Sequence, residues 1–232
     1  AAGRAPGGAS PPVLLIGVDG ATFDIIDPLV AEGRLPVLAS LMERGARGSL
    51  QTIEPTVSPA IWTTLATGRL PAAHGILGFD GVPGQSMKTL PTSQMRRVRA
   101  FWNILSEQDR SVGLTGWWAT WPAEEVRGYV VSDRVAYTRM EATIADEAPK
   151  PHEIYPEEIA AEVKRLVRGP EEITVEDVRR FMALADAEIE RLIRGADYRH
   201  ADFLPEFKYV HQSDRSTAEI AAHLMRTRPT DV

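Results

Sequence analysis

Asp19 and Ser58 are the two residues around which chemistry can be organised. Asp19 closes the apolar run VLLIGV, Val13 to Val18, and is followed by Gly20. A short uninterrupted apolar run ended by a turn is the pattern of a parallel strand buried on both faces. Ligands of open α/β sheets gather at the carboxyl ends of such strands. A carboxylate there, next to Gly20, can reach a metal ion with little backbone in the way. The competing reading is an Asp that only caps the next helix. Ser58 stands in EPTVSPAIWTTLATG, at or near the N-cap of a helix expected over Pro59–Thr67 and closed by Gly68. Backbone N–H groups and the positive end of the helix dipole converge at that place and stabilise an anion such as a transferring phosphoryl group. A plain cap is the alternative. Thr56, two residues earlier, is a rival hydroxyl.

The elements that must hold these residues follow from periodicity. After Asp19, apolar residues recur at helical spacing from Ile25 to Leu41, with Gly33 and Gly45 as helix stops. Ser49–Ile53 is a candidate second strand. Residues 75–95 read as a loop, Val98–Gln108 as an amphipathic helix, and Ser111–Thr115 and Tyr129–Ser132 as strands. Strands alternating with helices predict an α/β fold with a mainly parallel sheet flanked by helices. Residues 1–12 form a flexible Pro- and Gly-rich tail, and 13–135 the amino-terminal half of the α/β core. Residues 136–213 turn charged and proline-punctuated, with helices expected at Pro156–Val167 and Val175–Arg194. They read as a mostly helical insertion or cap. Residues 214–232 return to the core through a helix over Asp214–Thr227. The closing Pro-Thr-Asp turn is of the kind that precedes a strand, and the chain is expected to be a fragment.

Composition narrows the function classes. The 232 residues are 44% hydrophobic and 25% charged, with a net charge of -6 and no cysteine. That excludes a disulfide scaffold, a cysteine nucleophile and a thiolate metal site. The acidic balance argues against nucleic-acid binding, and no apolar run is long enough to span a membrane. Compartment and oligomeric state are not legible.

Val18-Asp19-Gly20, Ser58-Pro59-Ala60, Ala66-Thr67-Gly68 and Pro71-Ala72-Ala73-His74-Gly75-Ile76 together resemble the alkaline phosphatase superfamily, and most closely its type I phosphodiesterase/nucleotide pyrophosphatase branch. Thr115-Gly116-Trp117-Trp118, Trp121-Pro122 and Val131-Ser132-Asp133 are similar to bacterial members of that branch. The resemblance covers residues 13–135 well. It implies an alkaline-phosphatase-like sheet and a small phosphoester substrate. It also implies two divalent metal ions, usually zinc, with Asp19 as a ligand and Ser58 as both ligand and nucleophile, passing through a covalent phosphoserine. The sulfatases of the same scaffold carry an arginine after the nucleophile that Ser58-Pro59-Ala60 lacks.

The resemblance places His74 in the structural turn after the nucleophile helix. His152, His200, His211 and His223 have no ligand spacing and read as surface or helix residues. Trp117, Trp118 and Trp121 either stack on a flat leaving group or pack internally. Arg96, Arg97 and Arg99 read as a solvated helix start. The superfamily's remaining ligands, an Asp-x-x-x-His motif, an Asp-His pair and a later His, are not found in this sequence. The chain is therefore expected to carry part of a hydrolase site and to be inactive alone. The alternative is a non-catalytic binding module of the same fold.

Overall fold

The computed structural model describes residues 11–79, 90–136, 151–195 and 203–232. Thr22 opens α1 (Phe23–Ala31), its hydroxyl accepting from Asp24 N, and α2 (Pro36–Arg44) follows with Pro36 in its first turn. Then come α3 (Ser58–Thr67), the short α4 (Pro71–His74) and α5 (Phe101–Glu107). Gly68 ends α3 in the left-handed conformation (φ 63°) that a side chain would disfavour. The strands are β1 (Val112–Thr115), β2 (Gly128–Val131) and β3 (Ile154–Tyr155). The remaining helices are α6 (Ala160–Lys164), α7 (Val175–Arg179), α8 (Asp186–Gly195) and α9 (Phe203–Thr227). Among the described residues, no helix is long and apolar enough to cross a membrane.

The sheet runs β1-β2-β3. β1 and β2 are parallel, with Val112 opposite Gly128 and Thr115 opposite Val131. β3 is antiparallel, with Val131 opposite Ile154. The fold is thus α/β, but the sheet among the described residues is mixed. β3 falls in the stretch expected to be mostly helical. Two residues shut between Pro151 and Pro156 are too short to show a strand period.

Two expected strands do not pair as strands. Ser49–Ile53 joins no ladder, and Val13–Val18 runs beside the sheet without becoming part of it. Val13 donates its N–H to Asp231 O at 2.9 Å. The side chains of Val13, Leu14, Leu15, Ile16 and Val18 are 58–71% exposed, so nothing described covers the run that patterning marks as a buried strand.

The core has three parts. On one face of the sheet Tyr129 and Val131 pack with Ile154, Ile159, Val163 and the α9 residues Ile220 and Leu224. On the other face Val112, Leu114 and Val130 pack with Trp102, Ala66 and Val126. A third cluster joins Ile173, Val178 and Ile189, with Phe207 of α9 against it. This third cluster explains why the expected helix over Val175–Arg194 is two helices. The chain breaks after Arg179 and folds back, so that Val178 and Ile189 share one core. Likewise, Pro156–Val167 resolves into a 3-10 turn (Glu157–Ile159) and α6, which lets Ile159 and Val163 both reach that first face.

At its carboxyl end the chain returns to β1. Asp231 N and Val232 N each donate to Ser111 O at 3.1 Å, and Gly113 N donates to Val232 O at 2.7 Å. The Asp231 carboxylate accepts from Ser111 N at 2.8 Å and from its hydroxyl at 2.9 Å.

Candidate active site

The hydroxyl that opens α3 is turned outward rather than back onto its own helix. Val57 is the N-cap and Ser58 the first helical residue, with no side-chain cap bond. Instead Ser58 Oγ donates to Asp19 Oδ2 at 2.9 Å. The capping alternative for Ser58 is therefore not what the geometry shows. Thr22, not Asp19, caps α1. Ser58 is half-buried and Asp19 exposed, so the pair faces solvent at the positive end of α3.

Trp62 is the residue the sequence reading missed. Its Nε1 reaches Asp19 Oδ2 at 3.4 Å, a long hydrogen bond, so one carboxylate oxygen takes both contacts. The signal was its position at i+4 from Ser58, which sets both on one face of α3. The indole lies over Gly17, where any Cβ would collide with ring atoms Cζ3 and Cη2. A glycine interrupting an apolar run is the sequence sign of such a close approach. Asp19 is thus held from two sides, by Ser58 and by the indole seated on the backbone two residues before it.

Behind Trp62 an aromatic chain leads to the sheet. Trp117, just past the carboxyl end of β1, meets the Trp62 ring edge-on at 5.2 Å and donates Nε1 to Trp62 O at 3.1 Å. Trp117 in turn packs on Phe101 and Trp102 at 5.7 and 6.0 Å. Trp118 meets Phe79 edge-on, and Trp121 donates Nε1 to Pro151 O. All three indoles are half-buried with protein partners.

Asp133, 3% exposed, holds the loop that carries them. Its carboxylate accepts from the N–H groups of Ala119 at 3.0 Å, Thr120 at 3.3 Å and Trp121 at 3.1 Å. Burial pushes its carboxyl above the usual range, opposed by Arg134 and those three N–H donors.

His74 is fully buried, and both ring nitrogens are occupied. Nδ1 accepts from Ile76 N at 3.2 Å. The proton is therefore on Nε2, which donates to Thr64 Oγ1 at 3.0 Å, and that hydroxyl donates to Ala60 O. Burial, and then the Arg96 charge, hold this imidazole below its usual value. It ties the turn after α4 to the middle of α3 and has no lone pair left for a metal. His211 and His223 lie on α9, His152 lies in a turn, and His200 lies outside the described residues.

The arginine cluster needs a correction. Arg96 is not solvated: its guanidinium is held inside by Glu124, at 2.7 and 2.8 Å, and by Asn103 at 3.0 Å. Trp102 Nε1 donates to the same carboxylate. Glu124 is distant in sequence and carries no pattern linking it to Arg96. Arg97 and Arg99 are exposed, Arg99 pairing with Glu107.

Asp19 and Ser58 supply two oxygen donors for a cation. Among the described residues no three His, Cys, Asp or Glu groups converge on a metal position. A catalytic zinc takes about three protein ligands, so these residues do not by themselves fit a metal centre.

A family model described as type I phosphodiesterase/nucleotide pyrophosphatase matches residues 13–215. No curated protein and no solved structure matches the chain. The matched span contains Asp19, Ser58, Trp62 and the loop held by Asp133.

Proposed function

Because this chain belongs to the type I phosphodiesterase/nucleotide pyrophosphatase family, we propose that it works in phosphoric ester hydrolysis with Ser58 as nucleophile and Asp19 as its carboxylate partner. The observation that carries the reading is the hydrogen bond from Ser58 Oγ to Asp19 Oδ2 at 2.9 Å. A hydroxyl is a weak nucleophile until a neighbouring base takes its proton. In the first step Ser58 Oγ bonds to phosphorus as the bond to the leaving oxygen breaks, and the hydroxyl proton passes to Asp19. In the second step water attacks the phosphorus of the phosphoserine and the bond to the serine oxygen breaks; Asp19 returns its proton to Ser58 Oγ, and the proton that water loses passes through solvent to the alkoxide product. The amino-terminal end of α3 favours the developing negative charge.

Divalent ions, zinc by the family resemblance, belong to this reading as an expectation. Asp19 and Ser58 would be two of their oxygen donors, and among the described residues no further donors converge on them. No step above passes through a metal. That shortage favours, as a second reading, a binding module that retains the pair without turning over.

The test is hydrolysis of bis(p-nitrophenyl) phosphate by the 232-residue chain with and without added zinc. Little turnover is expected, and what there is should vanish with Ser58→Ala. Turnover that survives Ser58→Ala overturns the nucleophile assignment. Robust turnover lost in Ser58→Ala would show that the chain holds a complete site.

A further inference from the structure

We infer that Trp62 is the positioning residue of the Ser58–Asp19 pair: its indole, referred to the sheet through Trp117, aims the carboxylate at the hydroxyl. The inference deepens the reading of Ser58 and Asp19 as a working pair and rests on it.

Two donors on one helix face define the place of one oxygen. Ser58 Oγ and Trp62 Nε1 stand one turn apart on α3, and both reach Asp19 Oδ2, at 2.9 and 3.4 Å. A carboxylate held by the hydroxyl alone can turn about that bond, because its last torsion is broad. A second donor from the same rigid turn removes this freedom. At 3.4 Å the indole N–H binds weakly. Its part is to orient the carboxylate, not to hold the fold together.

A group that orients another must itself be fixed. The indole rests on Gly17, where a Cβ would collide with it. From the other side Trp117 meets the ring edge-on and donates to Trp62 O at 3.1 Å. Trp117 follows Gly116, whose N–H goes to Val131 O at 2.9 Å, and packs on Phe101 and Trp102. The place of Asp19 is thus passed from the paired strands β1 and β2 through two indoles. The backbone of Val13–Val18 does less: among the described residues it makes one hydrogen bond, from Val13 N–H, at the end far from Asp19.

Reactivity depends on such alignment steeply, since a misplacement of about 1 Å can cost about 100-fold. Removing the indole N–H while an aromatic ring stays on Gly17 should therefore uncouple Asp19 from Ser58.

The experiment uses Trp62→Phe and reads the side-chain carboxyl carbon resonance of Asp19 by NMR, on the whole chain at one pH. Ser58→Ala should move that resonance in the parent, and by less than about half as much in a Trp62→Phe background. With the indole in place, Asp19→Ala should move the Trp62 Nε1–H resonance upfield. Equal displacements of the carboxyl resonance in both backgrounds, or an indole resonance indifferent to Asp19→Ala, overturn the inference. A second readout is the single phosphonylation of Ser58 by ethyl p-nitrophenyl methylphosphonate, followed by intact mass. There the Oγ–P bond forms, the bond to p-nitrophenolate breaks, and the hydroxyl proton passes to Asp19. Trp62→Phe should lower the maximal labelling rate about tenfold at an unchanged half-saturating concentration. Labelling at the parent rate, or a change confined to the half-saturating concentration, overturns the positioning role. A parent that stays unlabelled, or labelling that persists in Ser58→Ala, fails the nucleophile reading instead, and the two resonances then decide the role of Trp62 by themselves.

Discussion

Ser58 donates its hydroxyl proton to Asp19 across 2.9 Å although the two are 39 residues apart in the chain. Neither side chain does the local work its position suggested, since Val57 is the N-cap of α3 and Thr22 caps α1. Both are therefore free of structural duty, and substitutions at the pair should separate stability from chemistry.

Ser58→Ala should change stability by no more than about 0.5 kcal/mol, because the residue is half-buried and its hydroxyl caps nothing. Asp19→Asn should be equally mild, its carboxylate being exposed. Urea unfolding followed by circular dichroism measures both. A loss near 2 kcal/mol for either variant would mark the pair as structural.

Gly17→Ala should disturb the pair without touching it. The new methyl group meets the Trp62 indole, which must swing away and release its contact with Asp19. Overpacking of this kind costs about 1–3 kcal/mol. Tryptophan fluorescence should shift to longer wavelength as Trp62 leaves its seat. In a Trp62→Ala background Gly17→Ala should cost far less than in the parent, and an equal cost in both would place the strain elsewhere.

Asp133→Asn should loosen the loop from Trp117 to Trp121. An amide keeps only one acceptor oxygen, so its N–H₂ group faces either Ala119 N–H, which bonds Oδ2, or the N–H groups of Thr120 and Trp121, which bond Oδ1. Leaving buried donors without an acceptor costs about 2–3 kcal/mol. Hydrogen exchange at Ala119 and Trp121 should accelerate more than at Val130, in the middle of β2.

Acid should destabilise the protein through His74. Burial lowers its folded-state affinity for a proton, while the unfolded chain protonates with an ordinary imidazole near pH 6.5. The unfolded state then binds more protons, so stability is full above that pH and declines as pH falls through it, by at most about 1.4 kcal/mol per unit. Urea midpoints at pH 7.5 and 5.5 should show a steeper acid loss in the parent than in His74→Gln. Equal slopes would mean that His74 remains neutral in both states or protonated in both.

What was legible in the sequence was what sits at the ends of elements. Asp19 after an apolar run and Ser58 at a helix start are positions where direction is set by local geometry, and the structure brings the two together. Trp62, Asp133 and Glu124 act through contacts between distant segments, and no spacing announces a carboxylate that collects three backbone N–H groups from a loop. β3 was too short to read, and the break after Arg179 was imposed by a core that Val178 and Ile189 can share only if the helix ends. The run Val13–Val18 reads as a buried strand for sound reasons of patterning, yet burial needs a neighbour and not only a sequence.

The edge-to-face series Trp62, Trp117, Trp102 has an optical consequence. Indoles 5.2 and 6.0 Å apart exchange excitation readily, so light absorbed by any of them can be emitted from the one nearest Asp19. That last ring also touches the carboxylate through its N–H. Whatever binds at Ser58 and Asp19 alters the polarity and quenching at that ring. Occupancy of the pair could then be followed from the native emission of the protein, with no label attached.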